Sequence, residues 1–165
     1  MDRLYAPWRT KYVTTDGVKL KGCVFCHAVE NVDQDEKLGV LHREKDFFIV
    51  MNKYPYSPGH IMIIPNVHIA NLEDLDSEVF TQISLYTQKG VKMLKEVLNA
   101  QGVNIGMNLG KAAGAGIAEH IHLHLVPRWK GDTNFITTIG ETRVYSSDIN
   151  EMYTKLKNVA SDYFR

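Results

Sequence analysis

The sequence predicts an α+β fold: an antiparallel sheet of five or more strands with two main helices packed on it. Three features lead there. Short strand-like segments, among them 47–52 and 60–64, are separated by turn-forming clusters. Two longer segments repeat apolar residues at helical spacing. The resulting order, β-β-β-α-β-β-α, is dominated by short connections of the hairpin kind.

The elements follow in order. Residues 38–43 and 47–52 read as strands joined by the charged turn Glu44-Lys45-Asp46. Tyr54-Pro55-Tyr56-Ser57-Pro58-Gly59 is a loop, because two prolines and a glycine suit neither a helix nor a ladder. His60-Ile61-Met62-Ile63-Ile64 is then a buried strand ending at Pro65. A helix runs from Asp76-Ser77 to about Asn99, with Asp76 or Ser77 as its N-cap and Val79, Ile83, Tyr86, Met93, Leu94, Val97 and Leu98 on its apolar stripe. Gly90 weakens the middle of this helix without ending it. Residues 102–108 form the next strand, and three glycines make 109–116 a loop. The strand over 120–126 opens with strict alternation: His120, His122 and His124 on one face, Ile121, Leu123 and Leu125 on the other. A helix over 149–163 follows.

Composition narrows the function. With 165 residues and no internal repeat, low-complexity stretch or long linker, residues 1–165 are read as a single domain. A chain of this size buries roughly 70% of the surface it exposes when unfolded, so it needs no disulfide. Nineteen basic residues balance nineteen acidic ones. That balance excludes the broad basic footprint of a nucleic-acid or membrane binder, but leaves room for a small anion held by a few groups. No apolar run approaches the ~18–20 residues that span a bilayer, and Met1–Arg9 lacks a signal-peptide core, so a cytoplasmic location is expected. The two cysteines, Cys23 and Cys26, form a C-x-x-C pair, which in a reducing compartment marks a metal clip or a redox site more often than a disulfide.

Seven histidines occur, and three fall at alternating positions within five residues. On a strand rising ~3.3 Å per residue, side chains two apart leave one face about 6.5–7 Å from each other. Three imidazoles can then line one cleft, each reaching a different atom of one ligand. A solvated polar row would share this spacing, but the apolar opposite face places the strand in the core, where histidine is an uncommon filler. The preceding stretch Asn108-Leu109-Gly110-Lys111-Ala112-Ala113-Gly114-Ala115-Gly116-Ile117 is built of small residues, and such loops let backbone N–H groups approach phosphate oxygens. Alone this is a weak signal. Beside three imidazoles it points to a phosphorus centre attacked by a histidine nitrogen.

Glu119-His120-Ile121-His122-Leu123-His124-Leu125-Val126 resembles the His-x-His-x-His-x-x motif, x apolar, of the histidine triad (HIT) superfamily. The likeness extends to Cys23-Val24-Phe25-Cys26, to Asn52 before the loop to Gly59-His60, to Ile64-Pro65-Asn66-Val67-His68 and to Asn108. It therefore covers about residues 20–130, with 131–165 as a C-terminal strand/helix extension. Leu4-Tyr5-Ala6-Pro7-Trp8-Arg9 and the block from Asn108 to Trp129 look most like the bacterial diadenosine tetraphosphate phosphorylase branch.

The resemblance implies an enzyme that cleaves a nucleoside phosphoric anhydride, diadenosine tetraphosphate foremost, at the α-phosphate through a covalent nucleotidyl-histidine. His122 would be the nucleophile, its other nitrogen donating to a fixed acceptor such as a backbone carbonyl of the same strand. His124 would bind the α-phosphate oxygens with backbone N–H groups near Gly116 and Ile117. His60 would polarise the phosphate or donate a proton to the leaving group. Asn52 takes the ribose position, Phe25 and Val50 line the base pocket, and Asn108 contacts the phosphates. The loop departs from the family's Gly-Gln-Ser or Gly-Gln-Thr: Gly114-Ala115-Gly116-Ile117 lacks the hydroxyl, so Lys111 or an N–H group takes its share. The adenine nucleotide is the expected partner, nucleic acid and membrane are not, and a homodimer, or else a tetramer, joined edge to edge through the sheet is expected.

Cys23, Cys26, His68 and His120 are the candidate ligands of a closed, structural Cys₂His₂ zinc site, an arrangement shared by some HIT proteins and by related sugar-phosphate nucleotidylyltransferases. A metal-free reduced pair is the alternative, and no organic cofactor is expected. His27 and His42 show no pattern and are assigned to the surface. Trp8 and Trp129 suit packing better than covering a nucleotide. Arg9, Lys111, Arg128 and Lys130 are solvated charges unless they reach distal phosphates. Two further functions stay open: a nucleoside phosphoramidase that releases AMP, and a nucleotide-binding scaffold that turns nothing over.

Overall fold

The computed structural model describes residues 22–133 and 147–165. Trp8, Arg9 and the strand expected within the C-terminal extension lie outside them. Five strands form one antiparallel sheet in the order β1-β2-β3-β5-β4: β1 (Val40–Arg43), β2 (Phe47–Met51), β3 (Ile61–Pro65), β4 (Gly102–Gly106) and β5 (Leu123–Arg128). Among the described residues four helices accompany them: α1 (Val24–Glu30), α2 (Asp35–Leu38), α3 (Ser77–Leu98) and α4 (Ile149–Tyr163). The two long ones match the expected pair. The two short ones, ahead of the sheet, carry no periodic pattern that the sequence reading used.

Every residue of β2 and β3 is buried, as a central strand covered on both faces requires. On one face Phe47, Ile49, Ile61, Ile63 and Leu125 pack against Ile83, Met93 and Leu94 of α3 and Leu156 and Phe164 of the α4 region. On the other face Val40, Phe48, Val50, Met62 and Ile64 pack against Phe25 and Ala28 of α1. In the β3–β5 register His124 lies opposite Met62. Paired residues share a face, so the triad side of β5 is the α1 side.

The helix boundaries have local causes. Asp76 caps α3, its carboxylate accepting from the N–H groups of Glu78 and Val79 at 2.8 and 3.1 Å, and Asn99 ends it at a φ of 52°. Asp148 caps α4 in the same way. At Gly90 α3 lies tight against the sheet: a Cβ there would sit 2.8 Å from Leu125 Cδ2.

Several strand boundaries differ from expectation: β2 ends at Met51 and β4 at Gly106, short of Asn52 and Asn108. Leu38 belongs to α2, because Gly39 at a φ of 77° closes that helix and the strand starts one residue later. His60 precedes β3. The fifth strand begins at Leu123, not His120, and extends to Arg128. Pro65 has no N–H to donate, its carbonyl is taken by the His120 ring at 2.9 Å, and Ile121 N–H turns to the Ile69 carbonyl. The ladder therefore stops before the first two histidines.

Gly59, just before His60, has a φ of 77°, and a Cβ there would lie 2.3 Å from Leu98 Cδ1. Gly59→Ala combines left-handed strain with overpacking, and should destabilise by about 2–3 kcal/mol. For a chain of this size that lowers Tm by roughly 5–10 °C. An unchanged melting curve would mean that the turn relaxes freely.

Candidate active site

Ladder and loop together place four histidines in one buried group. His60 and His120 are fully buried, and His122 and His124 are 6% and 7% exposed. Their rings lie close: His122 to His124 centroids 4.8 Å, His60 to His124 5.0 Å.

Backbone carbonyls can only accept, so they reveal the protons on two rings. His122 Nδ1 is 2.9 Å from the His120 carbonyl and must carry the hydrogen, which leaves Nε2 with a free lone pair. The anchor is a carbonyl two residues back along the same segment, the kind of acceptor a nucleophilic imidazole needs. His120 Nε2 donates to the Pro65 carbonyl, which leaves Nδ1 bare, facing Cys23 Sγ at 3.4 Å and Cys26 Sγ at 3.6 Å.

Burial keeps the His60 and His124 rings neutral. It pushes His60 down to about 3, with lesser contributions from the charges His124 and His122 would carry. Burial, then His122, pushes His124 down to about 4. The unfolded chain takes up protons at the ordinary histidine value of about 6.5. The unfolded state thus binds more protons as pH falls below 6.5, so stability is full above that value and erodes toward pH 4. Urea midpoints should fall monotonically from pH 7.5 to 4.5, and His124→Asn should flatten the slope. An equally steep slope in the variant would place the acid sensitivity elsewhere.

Phe25, on α1, sits edge-on to His120 at 5.4 Å and tilted against His122 at 5.1 Å. It packs with Val50, so the two residues expected around the base come together beside the triad, and Ile117, expected at the phosphate through its N–H, packs its side chain on the same cluster. Asn52 is half-buried; its Oδ1 accepts from Tyr54 N–H at 2.9 Å and its Nδ2 approaches His60 Nδ1 at 3.3 Å. Asn108 is half-buried, whereas Lys111, Gly114 and Gly116 are exposed in the loop before the triad. There Lys111–Ala113 form a single 3-10 turn between Gly110 and Gly114, both at positive φ. Nothing among the described residues bonds Asn108 or Lys111 to the histidines.

Other groups are accounted for elsewhere. Arg128 pairs with Asp132 at 2.5 Å and donates to Asn104. Trp129 donates to the Leu98 carbonyl at the end of α3, a packing role. His42 is not a bare surface residue: its Nε2 meets Glu44 at 2.7 Å, and Glu44 also takes the Tyr86 hydroxyl. His27 meets Asn31 Nδ2 at 3.2 Å. The residue that sequence reading missed is Tyr56, whose ring covers His60 at 4.6 Å and His124 at 5.6 Å. The available hint was an aromatic side chain in a Pro-rich turn that must fold back between Asn52 and His60.

Cys23, Cys26, His68 and His120 converge, their ligand atoms all within 4.8 Å of one another. Tetrahedral zinc with ordinary Zn–S and Zn–N bonds sets sulfur and nitrogen about 3.5 Å apart. The observed separations of 3.4 and 3.6 Å, with 3.1 Å from Cys26 Sγ to His68 Nδ1, bracket that value. Burial and the neighbouring Cys23 also push the Cys26 thiol up, a cost that a cation between the sulfurs removes. The donor set fits zinc.

An α+β domain that anchors one imidazole to a carbonyl through Nδ1 and leaves its Nε2 open, beside a second buried ring and a Cys₂His₂ cluster, has the parts that histidine chemistry at a phosphorus centre requires. The HIT domain family model matches residues 34–131. The chain is 38% identical over 149 residues to an AP-4-A phosphorylase of Mycobacterium tuberculosis, a match covering 87% of this chain and 76% of that one. It is 31% identical over 124 residues to a bis(5'-adenosyl)-triphosphatase of Dictyostelium discoideum, covering 67% and 83%. A solved structure of a Zn-bound histidine triad family protein from Mycobacterium smegmatis superposes with a TM-score of 0.70 at 30% identity, covering 86% and 94%. The chain belongs to the HIT domain family.

Proposed function

We propose that this protein is a nucleotidyl hydrolase or transferase that cleaves a dinucleoside polyphosphate, diadenosine tetraphosphate foremost, at its α-phosphorus. The observation that carries this reading is the anchored His122: its Nδ1–H is held by the His120 carbonyl, so Nε2 presents a lone pair inside a buried site. The relatives that cleave adenosine polyphosphates support the substrate class.

His122 Nε2 attacks the α-phosphorus, a phosphorus–nitrogen bond forms as the bond to the bridging oxygen breaks, and ATP leaves from diadenosine tetraphosphate. His124, whose buried Nε2 has no partner among the described residues, faces the phosphoryl oxygens. His60 stands behind it and acts through it, since both its nitrogens are engaged within the protein. Phe25, Val50 and Ile117 wall the base, Asn52 takes the ribose, and Asn108, Lys111 and the N–H groups from Gly114 to Ile117 take the phosphates. Water then releases AMP, or inorganic phosphate releases ADP.

Zinc on Cys23, Cys26, His68 and His120 is structural: it ties α1 to the segment that carries His122 and supplies no reacting atom. A homodimer forms through β4, an edge strand with exposed Ile105 and Leu109 nearby. The opposite edge, β1, is capped by Tyr153 and Lys157 of α4, which donate to the Val40 carbonyl. No helix among the described residues is long and apolar enough to cross a membrane, and the two cysteines are free thiols, in keeping with a cytoplasmic enzyme.

Incubation with diadenosine tetraphosphate, with and without phosphate, tests the reading by its nucleotide products. ATP with ADP only when phosphate is present identifies a phosphorylase, and ATP with AMP a hydrolase. Cleavage confined to AMP amine conjugates would identify a phosphoramidase and overturn the anhydride substrate.

A further inference from the structure

We infer that Tyr56 is a positioning residue whose main-chain N–H, acting through His60, determines which nitrogen of His124 carries the hydrogen presented to the site. The inference deepens the function proposed above and rests on it for the identity of the ligand, but the hydrogen assignment stands on geometry alone.

Tyr56 N lies 3.1 Å from His60 Nδ1. An amide N–H only donates, so that nitrogen accepts and holds no hydrogen. Asn52 Nδ2 approaches the same atom at 3.3 Å as a second donor. His60 is neutral at pH 7, so its one hydrogen is on Nε2, which faces His124 Nδ1 at 2.9 Å. His124 must then accept at Nδ1, and its own hydrogen is placed on Nε2, the buried nitrogen without a partner among the described residues. The Tyr56 amide, the nearer of the two donors, thereby leads in setting the state of an atom two rings away. The reverse order would press a His60 Nδ1–H against two donors. It would also leave His124 with a bare Nε2, which repels a phosphoryl oxygen instead of binding it.

The loop is built to hold that amide in place. Asn52 Oδ1 accepts from Tyr54 N–H at 2.9 Å and folds the chain back. At the far end Asn52 N–H donates to the His60 carbonyl at 2.9 Å, and His60 N–H to the Ser57 carbonyl at 3.1 Å. Between these anchors the Tyr56 ring lies over both histidines and excludes water from the hydrogen-bonded chain.

Two measurements on the full chain test this. In two-bond ¹H–¹⁵N spectra of ¹⁵N-histidine-labelled protein at pH 7, assigned with His60→Gln and His124→Gln, both rings should show the Nε2–H tautomer. An Nδ1–H form of either ring overturns the inference. Tyr56→Ala removes the ring but keeps the amide, whereas Tyr56→Pro removes both. The proline variant should have a kcat on diadenosine tetraphosphate at least about 10-fold below that of the alanine variant, with KM within about twofold. Equal kcat in the two overturns it. If the proline variant fails to fold, the spectra of the wild type and of Tyr56→Ala, which must keep Nε2–H on both rings, still decide. Nε2–H tautomers in a protein that leaves diadenosine tetraphosphate intact would uphold the hydrogen assignment and refute the substrate instead.

Discussion

His122→Gly is expected to lower turnover of diadenosine tetraphosphate by about 10⁴-fold or more, while nucleotide affinity stays within about threefold. A loss of that size is about 5 kcal/mol of barrier. The asymmetry follows from the geometry. His122 has one nitrogen committed to the His120 carbonyl, so in the proposed mechanism its remaining nitrogen serves the covalent step and not the fold. In the same proposal binding is spread over Phe25, Val50 and Ile117 at the base and the loop at the phosphates, none of which requires the imidazole. The wild type mixed with substrate and quenched without acid should gain one nucleoside monophosphate in intact-mass spectra, and the glycine variant should gain nothing. Wild-type turnover in His122→Gly, or an adduct that persists there, would move the nucleophile to another residue.

Cys26→Ser should abolish stoichiometric zinc binding and lower Tm by roughly 6–20 °C, the equivalent of about 3–5 kcal/mol. Cys26 stands between two imidazoles, 3.1 Å from His68 Nδ1 and 3.6 Å from His120 Nδ1, so its loss removes one of the two thiolates and opens a corner of the closed tetrahedron to water. The damage should reach beyond α1. His120 binds on one side and through its carbonyl orients His122 on the other, so the variant should also lose activity at temperatures where it is still folded. Metal analysis of the wild type purified without chelator checks the premise. A stoichiometry well below one per chain would make the cluster a pair of reduced thiols beside two histidines, and Cys26→Ser should then leave Tm unchanged.

The alternation of His120, His122 and His124 with Ile121, Leu123 and Leu125 is a local property of the chain. From it followed the row of imidazoles and the apolar opposite face, and together with Cys23-Val24-Phe25-Cys26, Asn52, the turn to His68 and Asn108 the resemblance to the family. The helix over 149–163 and the capped α3 were legible for the same reason: caps and periodic apolar stripes act within one turn or one stripe. Cys23 and Cys26 announced half a metal site by their spacing.

What lay beyond local pattern was settled by chain crossing. Whether the ladder reaches His120 depends on Pro65 and Ile69, more than 50 residues earlier, which capture its ring and the following amide. The short helix α1 has no stripe long enough to read, yet it carries Phe25 to the triad because Ala28 and Phe25 find their cover on Val50, Met62 and Ile64. Tyr56 falls over His60 and His124 only once its loop closes. Sequence determined which side chains were available for the chemistry; tertiary structure decided which nitrogen of each ring is free, because a ring's hydrogen is placed by whichever donor or acceptor the fold brings against it.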